Sequence, residues 1–119
     1  MAIRPLRVGI VGANPERGWA KDAHLPALAA LPQFVIAAVS ARTQELADAA
    51  APVFGAARAF GHSLEMVADP DIDVVAVTVK VPEHRAIVLA ALAAGKHVYC
   101  EWPLGRAVAQ LHGVYILAE

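Results

Sequence analysis

The chain has 119 residues, 58% of them hydrophobic and 18% charged, with a formal net charge of −1. An apolar share above the roughly 45–50% of ordinary soluble domains excludes a disordered chain, and a near-neutral charge without a basic run excludes a nucleic-acid binder. The length suits a single domain of about 100–150 residues spanning 1–119, and no stretch approaches the ~18 consecutive apolar residues of a membrane span. The start, "MAIRPLRVGIVGA", lacks the cleavage pattern of a signal peptide, so the cytoplasm is the expected location. The single cysteine, Cys100, has no internal disulfide partner and is expected to be a buried thiol.

In chain order, "LRVGIVG" (6–12) reads as a strand apolar nearly throughout, as a strand buried on both faces should be. "AKDAHLPALAAL" (20–31) follows as a helix, with Pro26 in or near a first turn or kink. "FVIAAVS" (34–40) is the second strand, and "TQELADAAAPVFG" (43–55) a helix ended by Pro52 and Gly55. A short third strand falls near "ARAF" (57–60), and Ser63 is the expected N-cap of a small helix, "LEMVAD" (64–69). "DPDIDVVAVTV" (69–79) is a turn and a fourth strand, "EHRAIVLAALAAG" (83–95) a helix closing on Gly95, and "HVYCE" (97–101) a fifth strand. The final "GRAVAQLHGVYILAE" (105–119) repeats Val108, Leu111, Tyr115 and Ala118 at helical spacing and is read as helix, although "GVYIL" alone suits a strand. Strands alternating with helices predict an α/β domain: an open, mostly parallel, twisted sheet of about five strands with helices on both faces.

In such a sheet ligands bind beyond the carboxyl ends of the strands, which directs attention to four loops. The first, "GIVGANPERGWA", brings glycines to a strand-to-helix turn, where a phosphate needs bare backbone together with the free N–H groups and positive dipole end of a helix N-terminus. Gly12 supplies the tight turn and Gly18 a close approach beside Trp19, but Asn14 stands at the second glycine of G-x-G-x-x-G and the third comes one position late. The turn alone therefore stays open between a phosphate cradle and an ordinary glycine-rich connection.

At the second strand's end "SART" stands where an acidic residue commonly accepts the ribose hydroxyls. Ser40 and Arg42 there suit a 2′-phosphate, so NADP is preferred over NAD; otherwise Arg42 is a solvated helix-start residue. The third loop, "TVKVPEHR", puts Lys80, Pro82 and His84 on the same rim, with Lys80 suited to a phosphate or substrate hydroxyl and His84 to a ligand or a structural helix start. The fourth ends the fifth strand with Glu101 and Trp102, an acceptor for ribose hydroxyls and an indole able to wall a flat ring or to cover an edge. His24, His62, His97 and His112 lack metal-ligand spacing, and no metal site is expected.

Taken together, "RVGIVGA", "GWAKDAHLPAL", "ADPDIDVVAVTVKVPEHR" and "ALAAGKHVYCEWPLG", in that order, resemble the amino-terminal nucleotide-binding domain of the glucose-fructose oxidoreductase and inositol dehydrogenase family. Within it the likeness is to the branch holding the galactose-pathway regulator and related sugar dehydrogenases, and it runs from Arg7 to about Gly105. The resemblance implies a Rossmann-like fold, NAD or NADP as cofactor, and hydride transfer at a sugar hydroxyl carbon in the parent enzyme. It also implies a carboxy-terminal substrate domain, which is expected to be absent here, leaving the chain catalytically incomplete. In the family the fifth strand ends in Glu-Lys-Pro with the lysine implicated in catalysis. Glu101 and Pro103 match, but Trp102 holds the lysine's place, as in the regulator's branch, so no catalytic residue is assigned. The alternatives are a non-catalytic sensor of a dinucleotide or sugar acting through a protein partner, and an orphan domain without a ligand. A homodimer through the fifth-strand edge or the last segment is expected in each case.

Overall fold

A computed structural model describes residues 4–16, 25–79 and 84–100. Its elements are β1 (Leu6–Val11), α1 (Leu25–Ala29), β2 (Phe34–Ser40), α2 (Gln44–Phe54), β3 (Arg58–Phe60), α3 (Ser63–Val67), β4 (Val74–Val77), α4 (His84–Ala93) and β5 (His97–Cys100). The five strands form one parallel sheet in the order β3-β2-β1-β4-β5. The order reverses beside β1, which pairs with β2 on one side and β4 on the other, and the loops leaving β1 and β4 must therefore diverge.

Side chains of a strand alternate between its faces, and the two cores follow that period. Val8 and Ile10 of β1 join Ala76 of β4 and Ala50 and Phe54 of α2 on one face. Val11, Val75 and Val77 meet Met66, Val67, Ile87, Val88 and Ala91 of α3 and α4 on the other. Helices on both faces explain why β1 and β4 read as unbroken apolar runs rather than alternating ones.

Three local expectations are corrected. Pro52 lies inside α2 instead of ending it; the helix runs on to Phe54, and Gly55 stops it with φ 70°, its N–H donating to the Pro52 carbonyl. Ser63 is the first residue of α3, not its cap: His62 holds the cap position without a side-chain bond, and the Ser63 hydroxyl turns to Ser40 instead. Cys100 forms no disulfide and is only half-buried, because β5 lies at the edge of the sheet that the described residues form. Glu101 and the final segment 105–119 lie outside the described residues.

At the amino ends of the strands Asp73 ties the sheet's start together. Its carboxylate accepts the Arg7 backbone N–H at 2.8 Å, the Arg7 Nε at 3.1 Å and the Arg4 guanidinium at 2.8 Å. These bonds, from the Arg4 side chain first and then Arg7, hold the carboxyl far below its ordinary 3.8. Lys96 fixes the turn before β4, its Nζ donating to the carbonyls of Asp69 (2.7 Å) and Ile72 (2.6 Å).

Candidate functional site: the cavity at the strand-order reversal

At the opposite end, where the loops after β1 and β4 part, lies a cavity of about 440 Å³. Its walls come from the β1 turn (Gly12, Ala13, Asn14), the loop and helix after β2 (Ala41, Arg42, Thr43, Leu46), Ser63 of α3, and Thr78, Val79 and Ile87 beyond β4. Five segments distant in sequence meet there because all are carboxyl ends of parallel strands or the starts of the helices that follow them.

Gly12 has φ 92°, a region that L side chains avoid. A Cβ at this position would stand 3.0 Å from both Thr78 Oγ1 and Val79 Cγ1. The turn therefore demands glycine on two grounds, conformation and space. Its position is fixed by the Ser40 carbonyl, which accepts the N–H groups of Gly12 (3.1 Å) and Ala13 (2.9 Å), and by Thr78, whose N–H and hydroxyl both donate to the Val11 carbonyl. Asn14 Oδ1 accepts the Glu16 N–H at 2.9 Å. The amides of Gly12, Ala13 and Glu16 are thus engaged by the protein itself. The expectation of free N–H groups at this turn does not hold for these three.

Arg42 is exposed on the rim, immediately before Thr43, whose hydroxyl caps α2 by accepting the Leu46 N–H at 3.1 Å. The cap fixes the backbone that carries Arg42 while leaving its guanidinium directed by the loop rather than by an ion pair among the described residues. Ser40 behaves otherwise than expected. It is fully buried, its hydroxyl placed 3.5 Å from the Ile10 carbonyl and 3.0 Å from Ser63 Oγ, so its side chain does not face the cavity. By the alternation of the strand Ser40 shares a face with Ala38, the face that α3 covers, and its hydroxyl therefore meets Ser63.

Of the residues singled out from sequence, Gly12, Asn14 and Arg42 line one cavity, and Ser40 supports it from beneath through its carbonyl. His84 begins α4, and its side chain is outside the described set. Gly18, Trp19, Lys80, Pro82, Glu101 and Trp102 also lie outside the described residues. The sequence reading missed Thr43, Leu46, Ser63, Thr78, Val79 and Ile87 as lining residues. Thr43 and Thr78 carried a usable signal, a hydroxyl within three residues of a strand's carboxyl end; the aliphatic ones carried none that separates a ligand wall from core. Among the described residues no group of three or more His, Cys, Asp or Glu is placed to hold a metal, and no helix is long and apolar enough to cross a membrane.

A bare-backbone turn that a Cβ would fill, opposite an exposed cation one strand away, fits a dinucleotide's diphosphate and ribose. Comparison with known proteins agrees. Levoglucosan dehydrogenase of Pseudarthrobacter phenanthrenivorans is 34% identical over 118 residues, covering 92% of this chain and 29% of that protein. The 3-ketoreductase KijD10 of Actinomadura kijaniata, solved with TDP-benzene and NADP in an open conformation, superposes with a TM-score of 0.85 at 30% identity, over 96% of this chain and 35% of that one. A super-repressor mutant of Gal80p from Saccharomyces cerevisiae superposes with a TM-score of 0.84 at 28% identity, over 96% and 32%. The chain spans less than a third of the length of the first curated relatives it matches. The model of the oxidoreductase family with the NAD-binding Rossmann fold matches residues 6–119, past Gly105, where the sequence likeness was expected to fade. With the strand order, the glycine turn and this match in agreement, the chain belongs to that glucose-fructose oxidoreductase and inositol dehydrogenase family and carries its NAD-binding Rossmann domain.

Proposed function

We propose that this chain is the NADP-preferring cofactor-binding portion of a dehydrogenase acting on sugar-type hydroxyls. The observation that carries the preference is Arg42, exposed at the rim after β2 where, among the described residues, no carboxylate lines the cavity. A carboxylate there would accept the two ribose hydroxyls and repel a 2′-phosphate, whereas a guanidinium forms charge-assisted bonds with that phosphate. The levoglucosan dehydrogenase likeness supports a sugar-type substrate, and KijD10 is a relative solved with NADP. When bound, the nicotinamide supplies hydride chemistry; the described residues bind and orient it. Gly12 admits the diphosphate, Arg42 selects its phosphorylated ribose, and Leu46 and Ile87 exclude water from the cavity's wall.

By this reading the 119 residues alone bind the dinucleotide without turnover. The protein works in the cytoplasm, and copies associate through the edge of β5 that no described strand pairs, next to an apolar hollow of about 530 Å³ that includes Val74, Ala76 and Tyr99. Light scattering that finds only monomer at high concentration would remove the homodimer. Trp102, in the place of the family's lysine, favours a second reading, a non-catalytic dinucleotide sensor. Calorimetric titration with NADP and NAD tests the first: saturable binding with NADP tighter by about tenfold or more is expected, the gap closing in Arg42→Ala. Equal affinities in the wild type would refute the preference.

A further inference from the structure

The sheet that the described residues form ends on β3, and we infer that the Gln44 side chain closes this edge by standing in for a next strand, barring a second copy of the chain from adding there. The inference is independent of the dinucleotide reading above.

In a strand the N–H and C=O of one residue point to the same side, and the side alternates from residue to residue. Phe60 turns toward β2, its carbonyl accepting the Ala41 N–H at 3.1 Å, so Ala59 and Gly61 turn outward. A further parallel strand would meet those two through a single residue, whose N–H donates to the Ala59 carbonyl and whose C=O accepts the Gly61 N–H. The Gln44 amide makes both bonds: its Nε2 donates to the Ala59 carbonyl at 3.0 Å, and its Oε1 accepts the Gly61 N–H at 2.8 Å. Nε2 also donates to Asp48 Oδ1 at 2.9 Å, one turn along α2. Carbonyl and carboxylate only accept and a backbone N–H only donates, so these three partners fix which way the amide faces.

The close approach of α2 to this edge is a second, steric observation. Gly61 is not among the glycines with positive φ, yet a Cβ there would lie 2.5 Å from the Gln44 nitrogen and 2.7 Å from its Cα. Glycine at this position thus serves the contact: it lets the first residue of α2 lie against the strand. The Thr43 cap holds that residue in place.

Unpaired outward groups on an edge strand are a template for strand addition. Were β3 open, the β5 edge of one copy could join the β3 edge of the next in parallel, a head-to-tail contact that does not close and grows into chains. With Gln44 in place that route is blocked, and association through β5 stops at two copies.

The test is sedimentation velocity over a concentration series on the wild type, Gln44→Ala and Gln44→Ala/Ala59→Pro, each first shown by circular dichroism to be folded. Whatever the wild type forms, monomer or dimer, is the baseline, so loss of the β5 homodimer would leave this inference standing. Gln44→Ala should add species larger than those of the wild type, increasing with concentration. Proline removes an outward N–H and is tolerated at a sheet's edge, so the double variant should return to the wild-type distribution, which association caused by mere loss of stability would not do. A folded Gln44→Ala that sediments as the wild type throughout, or larger species that persist in the double variant, overturns the inference. Amide exchange of the wild type decides the matter should Gln44→Ala not fold. The Gly61 N–H should exchange about threefold to tenfold more slowly than in an unstructured chain, and an unprotected Gly61 overturns the inference.

Discussion

Replacing Gly12 by alanine perturbs the turn on which the site depends, and the structure supplies the magnitude. At φ 92° an L side chain meets its own backbone, a cost of about 1–2 kcal/mol. Separately, the new methyl would stand 3.0 Å from Thr78 Oγ1 and Val79 Cγ1 and 3.2 Å from the Thr78 carbonyl carbon, where ordinary contacts begin at 3.4 Å. Neighbours must move by several tenths of an ångström, which in a packed region costs about 1–3 kcal/mol. Gly12→Ala should therefore lose about 2–5 kcal/mol, a large fraction of the roughly 6–18 kcal/mol expected for a domain of this length. Urea unfolding followed by circular dichroism would show the midpoint falling by about 1–2 M. The two components separate in a double-mutant cycle with Val79→Ala, which removes one steric partner but not the backbone strain. A favourable coupling of about 0.5–2 kcal/mol is expected, with the remaining loss unrelieved. A Gly12→Ala midpoint equal to that of the wild type would show that the turn relaxes to negative φ without cost, and would refute the argument that this position requires glycine.

Asp73→Ala should cost about 1–3 kcal/mol at neutral pH, since the Arg7 amide and side chain lose their acceptor. Because folding depresses the Asp73 pKa, its contribution is complete above about pH 5, declines as pH falls below the ordinary 3.8, and disappears only below the depressed folded value. Urea midpoints of wild type and Asp73→Ala should therefore converge in acid; a constant gap down to pH 2 would contradict the assignment. Gly61→Ala should be still less tolerated than most surface changes, because its Cβ would lie 2.5 Å from the Gln44 nitrogen and displace the bond from Gly61 N–H to Gln44 Oε1. An unchanged melting temperature would show that the loop shifts freely. Lys96→Met leaves the Asp69 and Ile72 carbonyls without their ammonium donor and should lower stability by about 1–3 kcal/mol, read from the same denaturation curves.

The architecture was legible because its signals are local. Apolar β-branched runs at 6–12, 34–40 and 74–77 declare strands, alanine-rich stretches declare helices, and Gly55 and Gly95 mark helix ends by the positive φ that only glycine adopts cheaply. Family membership was legible for the same reason, since its motifs are contiguous words. Arg42 could be placed on the rim from its position after the second strand alone, and the cavity confirms the placement without testing its ligand.

What the tertiary structure decided is where each polar group spends its hydrogen bonds. A helix start and a strand end look alike in sequence whether their hydroxyls face water, a ligand or each other. Ser63 reads as a cap but bonds to Ser40, 23 residues earlier, and Ser40 reads as a ribose contact but is buried beneath the site that it shapes through its carbonyl. The amides of Gly12 and Ala13, expected to be free for a phosphate, are taken by that same carbonyl. Such assignments depend on pairing between strands that are neighbours only once the sheet has formed. Periodicity along the chain records which face is buried, and it carries no record of which partner lies across from a given proton.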